Sequence, residues 1–169
     1  TVDLSALIES LCDDLAELRH DVTFTDGSRF TYRCRPDALR RAVRNLIENA
    51  VRYGDRARVG LMRNADSVDI VIEDDGPGIP ADALEQVFAP FFRLEHSRNR
   101  ETGGVGLGLA IARTIVRHHG GDIVLTNRPG GMRAVISLPP ASDTAPAPLE
   151  EGAAASPRPA PVVSEARPA

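Results

Sequence analysis

Apolar residues recur along this chain with two different periods, and the places where the period changes mark its elements. Leu4, Leu7, Ile8, Leu11, Leu15 and Leu18 follow helical spacing, and Asp3 in front of them suits an N-cap. "DVTFT" and "RFTYRCR" alternate apolar with polar residues on either side of Asp26-Gly27, a pattern that predicts a hairpin. Pro36 opens a second helix carried by Leu39, Val43, Leu46, Ile47 and Ala50. "RARVGLMR" and "SVDIVIE" read as two strands joined through Asn64-Ala65-Asp66. Beyond Pro80, "ADALEQVF" predicts a short helix and "HSRNRETGG" a mobile polar loop. "VGLGLAIARTIVRHH" returns to helical spacing and is closed by Gly120-Gly121. "DIVLTN" and "MRAVISLP" complete a hairpin around Pro129-Gly130-Gly131. Helices interleaved irregularly with hairpins predict an α/β (α+β) two-layer sandwich, one mixed sheet with its helices packed on a single face.

Composition changes this picture at one end. From Pro140 onward Pro, Ala, Ser and Glu dominate and aromatic residues vanish. Such a segment cannot bury enough apolar area to offset its ordering entropy, so residues 140–169 are expected to be disordered and residues 1–139 to form one domain. A net charge of −4 argues against a nucleic-acid binder driven by phosphate contacts. No run of eighteen apolar residues is present. Cys12 and Cys34 stand alone without metal-ligand spacing and are expected to be reduced thiols of a cytosolic domain. The opening "TVDLSAL" has no Met, so the chain is expected to be a piece of something longer.

Four patches carry candidate chemistry. In "RRAVRNLIENAVRYG", Asn45 and Asn49 are four apart and share a helix face, with the apolar stripe mostly on another. Asn is a poor helix former, so the pair is either solvated or recruited, and a side-chain carbonyl there could ligate Mg²⁺ beside phosphates. Arg52 follows on the same face and could pair with those phosphates, while Tyr53 could lie against a planar base. In "EDDGPGIP", Asp74 at a strand end could accept a hydrogen bond from an exocyclic amino group, and Gly76 and Gly78 permit close backbone approach. Asp75 beside it is read as solvent-facing. In "VFAPFFR", Phe88 is read as core, whereas Phe91 and Phe92 could form an exposed docking pair and Arg93 could reach a terminal phosphate. In "TGGVGLGLAIA", Gly104, Gly106 and Gly108 alternate at a helix entrance, where unpaired N–H groups and the macrodipole favour phosphate. This stretch lacks both the dinucleotide glycine spacing and the Lys-Ser/Thr of a P-loop.

Each patch alone occurs in many unrelated proteins. In this order they resemble the N, G1, F and G2 boxes of the catalytic, ATP-binding domain of bacterial sensor histidine kinases, over residues 1–139. The resemblance implies the fold of the gyrase, Hsp90, histidine kinase and MutL group: a mixed, mainly antiparallel sheet of about five strands, three main helices on one face, and a flexible ATP lid. It implies Asn49 as the Mg²⁺ ligand, Asn45 as a residue holding metal or phosphate, Arg52 near the phosphates and Tyr53 stacked on adenine. It implies Asp74 as the reader of the adenine amino group, with Gly76, Gly78 and Ile79 around the base. Gly104, Val105, Gly106, Leu107 and Gly108 would form the lid hinge beside the phosphates. Asn45, Asn49 and Arg93 would then carry the phosphoryl chemistry.

ATP-hydrolysing relatives place a Glu general base four residues before the metal-binding Asn. Here that position is Asn45, which cannot usefully accept a proton near neutral pH. Glu48 points about 100° around the helix from Asn49 and is read as solvated or structural. The family's phosphoacceptor pattern, His followed by an acid and, three residues further, Thr or Asn, is absent. His20-Asp21 has its Thr one residue too early, His118 and His119 close a helix, and His96 lies in the polar loop. The resemblance therefore implies ATP and Mg²⁺ bound here and a histidine acceptor on a dimerisation domain of the parent, with a response regulator downstream. It further implies a homodimeric parent in the bacterial inner membrane, this piece being monomeric and facing the cytoplasm. Two rivals stand beside this reading: a same-fold ATPase that hydrolyses its nucleotide, and a nucleotide-gated docking module that uses Phe91 and Phe92.

Overall fold

The computed structural model describes residues 1–25, 27, 29–92 and 107–141, and the central strands of its sheet alternate over most of their length between a buried and a more exposed face. β1 (Val2–Asp3) leads into α1 (Leu4–Glu17), where Asp3 is the N-cap and accepts the Ala6 N–H at 3.0 Å. Leu4, Ile8, Leu11 and Leu15 are fully buried, each of them contributing roughly 1.5–3 kcal/mol on transfer from water. Leu18, the sixth residue of the apolar stripe, lies past the helix end and is 60% exposed. After β2 (Val22–Thr25) and β3 (Thr31–Tyr32) comes α2 (Pro36–Gly54), with Pro36 in the first turn as its missing N–H allows.

β4 (Ala57–Arg63) and β5 (Val68–Asp74) form a hairpin, as do β6 (Asp122–Arg128) and β7 (Gly131–Leu138), which follow α3 (Gly108–His118). The five-stranded order is β2-β4-β5-β7-β6, antiparallel except for the parallel β2–β4 pair. Val59 and Leu61 of β4, Ile70 and Ile72 of β5, Ala134 and Ile136 of β7 and Ile123 of β6 all face the buried side, in one cluster with the apolar faces of the helices. This is the mixed-sheet two-layer sandwich that the hydrophobic pattern predicts, mainly antiparallel as the family resemblance implies. No helix among the described residues is long and apolar enough to cross a membrane.

Two local expectations are corrected. No hairpin forms across Asp26-Gly27: β2 pairs in parallel with β4 (Val22↔Ala57 to Thr25↔Gly60), and β3 pairs with β1. A turn dipeptide states only that the chain can reverse there; pairing is decided by where the partners' buried faces lie. Asp21 accepts the Ala57 N–H at 2.9 Å, so the chain leaving α1 is delivered onto the β4 edge instead. "ADALEQVF" is not one helix but two 3₁₀ turns, Ala81–Ala83 and Gln86–Phe88. Neither has a side-chain cap, and so short a segment does not repay the cost of an α-helical nucleus. The third helix begins at Gly108; Val105 and Gly106, like the polar loop and residues 142–169 of the tail, lie outside the described residues.

Candidate nucleotide-binding site

The alternation of β5 creates the site. Val68, Ile70 and Ile72 face the core, so the next inward position falls on Asp74, which is 5% exposed, while Asp75 faces outward. A carboxylate at a core position needs partners. Asp74 Oδ1 accepts the N–H of Gly76 at 2.9 Å and of Met132 at 3.2 Å, and its backbone carbonyl accepts Arg128 Nη2 at 3.0 Å. Among the described residues both side-chain bonds fall on Oδ1, so the carboxylate plane is fixed while Oδ2 is left as an acceptor. Burial pushes the Asp74 carboxyl above the ordinary carboxylate value, and the two backbone N–H groups and the Arg128 charge oppose that shift.

Asp75 is exposed, as expected, but is not left to solvent. Arg58 holds it bidentately at 2.6 and 3.1 Å, and Arg56 and Arg128 approach to 3.3 and 3.2 Å. The Arg58 hydrogen bonds pull its pKa below the usual carboxylate range.

The two glycines of the turn have tasks inside the protein. A Cβ on Gly76 would lie 2.6 Å from the Tyr53 carbonyl oxygen and 2.9 Å from Gly54 Cα, and one on Gly54 would lie 2.4 Å from Asp74 Cβ. The end of α2 and the turn after β5 thus touch backbone to backbone, which brings Tyr53 and Asp74 to the same place. Gly78 has φ +76, and the Asn127 side-chain oxygen sits 2.5 Å from where its Cβ would be. Asn127 clamps Ile79 by both backbone groups, accepting its N–H at 2.9 Å and donating to its carbonyl at 2.6 Å. Gly54, Asn127, Arg128 and Gly131 are not marked as site residues by the sequence, Gly131 being read only as part of a turn. Gly54 carried the one available signal, a glycine at the close of an apolar-periodic helix; "NRPGG" reads as nothing more than a turn.

Along α2, Asn45 and Asn49 are half-buried on a common face, Arg52 is exposed and Tyr53 is 37% exposed. Asn45 Nδ2 donates to the Gly108 carbonyl at 3.2 Å, which joins this face to the first turn of α3. Among the described residues the Asn49 side chain has no hydrogen-bond partner. Glu48 accepts a hydrogen bond from Arg44 one turn back at 2.8 Å, the structural one of the two roles read for it. Leu107 caps α3 and is half-buried, and Gly108 is exposed. Arg93, His96, Gly104, Val105 and Gly106 lie outside the described residues.

The aromatic patch divides. Phe88 is buried beneath the Arg113 guanidinium, 4.4 Å from the ring centre. Phe92 is half-buried against the core and Phe91 is 71% exposed with φ +64, so the expected exposed pair is a single exposed ring. A cleft of about 310 Å³ between this segment and α3, lined by Phe88, Pro90, Arg113 and Arg117 among others, contains none of the residues described above for nucleotide. His119 is no acceptor candidate: its Nε2 takes the Arg35 N–H at 3.1 Å and its Nδ1 bonds the Ile115 carbonyl at 2.8 Å, so it ties the end of α3 to the start of α2.

No group of three or more His, Cys, Asp or Glu that could hold a metal exists among the described residues. The oxygen donors present, neutral carboxamides on one helix face, suit Mg²⁺, which keeps its waters and is shared with substrate phosphates rather than caged by protein.

Residues 34–142 match the family model described as histidine kinase-, DNA gyrase B-, and HSP90-like ATPase, and the chain belongs to that family. Within it, the similarity is to catalytic ATP-binding domains of sensor histidine kinases. The chain is 41% identical over 141 residues to sensor histidine kinase GtrS of Pseudomonas aeruginosa, covering 82% of this chain and 28% of that protein. It is 43% identical over 106 residues to sensor histidine kinase CpxA of Escherichia coli, covering 62% of this chain and 23% of that protein. Among solved structures, the ATP-binding domain of PrrB from Mycobacterium tuberculosis superposes with a TM-score of 0.69 at 31% identity, covering 83% of this chain and 96% of that one. The mycobacterial sensor histidine kinase MprB gives 0.69 at 30% identity, covering 82% and 95%. The chain therefore spans about a quarter of the length of the curated relatives it matches.

Proposed function

We propose that this chain binds Mg·ATP and donates the γ-phosphoryl group to a histidine on a dimerisation domain of its parent protein, from which a response regulator is served. The observation that carries the reading is the Asp74 carboxylate, locked through Oδ1 by two backbone N–H groups with Oδ2 left as an acceptor where α2 and the glycine turn meet. An exocyclic amino group is the donor that such an oxygen suits. Tyr53 would lie against the base, with Gly76, Gly78 and Ile79 shaping its edge. Asn49, half-buried and without a hydrogen-bond partner among the described residues, would ligate Mg²⁺, which when bound offsets phosphate charge. Asn45, Arg52 and Arg93 would address the phosphates, with residues 104–108 beside them.

Asn45 and the Arg44-paired Glu48 leave the N-box face without a general base, which favours transfer to a supplied acceptor over transfer to water. In this reading residues 1–139 are the folded domain, 140–169 a dispensable tail, and the fragment a monomer from a homodimeric, inner-membrane parent. The exposure of Phe91 favours a contact with that parent's dimerisation domain.

The test mixes the chain with the parent's separately expressed dimerisation domain and γ-labelled ATP. The expected result is acid-labile, base-stable label on the supplied domain, none on this chain, and little free phosphate. Rapid phosphate release without label would replace the reading by ATP hydrolysis. Nucleotide binding with neither product would replace it by a docking module built around Phe91.

A further inference from the structure

One side chain touches both acids of the Asp74-Asp75 pair. Arg128, the last residue of β6, places Nη2 3.0 Å from the Asp74 carbonyl oxygen and 3.2 Å from Asp75 Oδ1. Arg56 and Arg58 reach Asp75 but make no contact with Asp74. The rest of the β6–β7 turn converges on the same strand end: the Met132 N–H meets Asp74 Oδ1, and Gly131 is packed so closely that a Cβ would lie 1.8 Å from the Asp74 carbonyl oxygen. The Arg128 Nε–H is buried without a hydrogen bond, with the Glu73 carboxylate 4.0 Å away, a cost that this ion pair and the two Nη2 bonds together offset.

We propose that Arg128 is a positioning residue for base selection: by bridging the Asp74 backbone and the Asp75 carboxylate, it holds Asp74 in the one orientation that presents Oδ2 to an exocyclic amino group. The inference rests on the ATP-binding reading and adds a determinant of selectivity outside the four sequence patches. Three consequences of removing the guanidinium act in the same direction. The Asp74 carbonyl loses its donor, so the strand end gains freedom. Asp75 loses one of the three cations around it. The like charge of Asp75 then presses harder on Asp74, and burial already pushes that carboxyl towards its protonated form. A protonated Oδ2 would meet an amino group donor to donor.

The experiment measures binding of ATP and of purine riboside triphosphate, which lacks only the 6-amino group, to the full chain by calorimetry. In the wild type ATP should bind at least about tenfold more tightly than the analogue, the worth of one hydrogen bond to a charged acceptor. Arg128→Met should erase about tenfold of the ATP affinity and leave the analogue within about twofold, so selectivity collapses. Arg128→Lys, which keeps the charge and one donor, should recover part of the selectivity and reads the same ratio if Arg128→Met does not fold. Arg133→Met, which removes an arginine that among the described residues bonds Glu73 on the neighbouring strand and neither Asp74 nor Asp75, should change neither ligand. Equal loss of both ligands in Arg128→Met and Arg128→Lys, or unchanged selectivity, overturns the proposal. A wild type that does not distinguish the two ligands overturns the adenine reading beneath it as well.

Discussion

The two ends of the candidate site are built by opposite means. At the base end the groups on the β5 turn are held by the protein itself: Asp74 by two backbone N–H groups, Ile79 by Asn127, and Gly76 by contact with the end of α2. At the phosphate end Asn45 makes one bond to Gly108, Asn49 makes none among the described residues, and Arg52 is exposed. A group that must read hydrogen-bond polarity gains from being fixed before the ligand arrives, because no ordering entropy is then charged against binding. Groups that meet a metal and a flexible polyphosphate lose little by waiting, since the ligand's charge supplies the order.

This contrast breaks first under the same substitution made at each end. Gly131→Ala drives a Cβ to 1.8 Å from the Asp74 carbonyl oxygen, backbone against backbone, and should cost about 3 kcal/mol or more of folding stability together with nucleotide binding. Gly108→Ala places its Cβ 3.9 Å from Asn45, ordinary contact at a helix start, and should change stability by no more than about 0.5 kcal/mol. Denaturant midpoints of the two variants test this. Similar losses at both ends would show that the phosphate end is as tightly built as the base end.

Ligand titrations sharpen it further. Asp74→Asn keeps an oxygen for the two backbone donors but turns the second position into a donor, so ATP and ADP should weaken alike by about a hundredfold, with or without Mg²⁺. Asn49→Ala should weaken ATP about tenfold in the presence of Mg²⁺ and leave the metal-free affinity unchanged. A Mg²⁺-independent loss in Asn49→Ala would assign that residue to the nucleotide rather than to the metal.

The same division explains what the sequence made legible. Period-2 alternation places Asp74 inward from Val68, Ile70 and Ile72, and period-3.6 alternation places Asn45 and Asn49 on one face; both depend only on neighbours in sequence. The hairpin misread at Asp26-Gly27 and the supports from Asn127, Arg128 and Gly131 depend on which strand lies beside which. Asn127 bonds a residue 48 positions away and Arg128 one 54 away, and no local pattern encodes either bond. The candidate residues Asp74, Asn45 and Asn49 thus follow from local periodicity, and the residues that aim them do not.

The smallest effect separates the two kinds of carboxylate by pH. At the end of α3, Arg113 bonds Asp122 at 2.9 Å and, with Arg117, holds its pKa well below the ordinary carboxylate value. A folded pKa below the unfolded one contributes stability that is present above the unfolded value and lost as pH falls through the folded one. Asp74 has the opposite sign. Its folded pKa lies above the unfolded value because of burial, so its own contribution to stability improves as pH falls through the folded pKa. ATP binding, however, needs the ionised form and weakens as pH falls through that same point. On acidification from neutrality the ATP affinity should therefore fall a few-fold at a pH where the melting temperature has not yet dropped, with the Asp122 loss following only at more acid pH. Calorimetry and thermal melts on one pH series give both curves. If affinity and melting temperature fell together, Asp74 would be no more than another surface-like carboxylate, and the distinction between a pre-built base end and a ligand-ordered phosphate end would lose its electrostatic support.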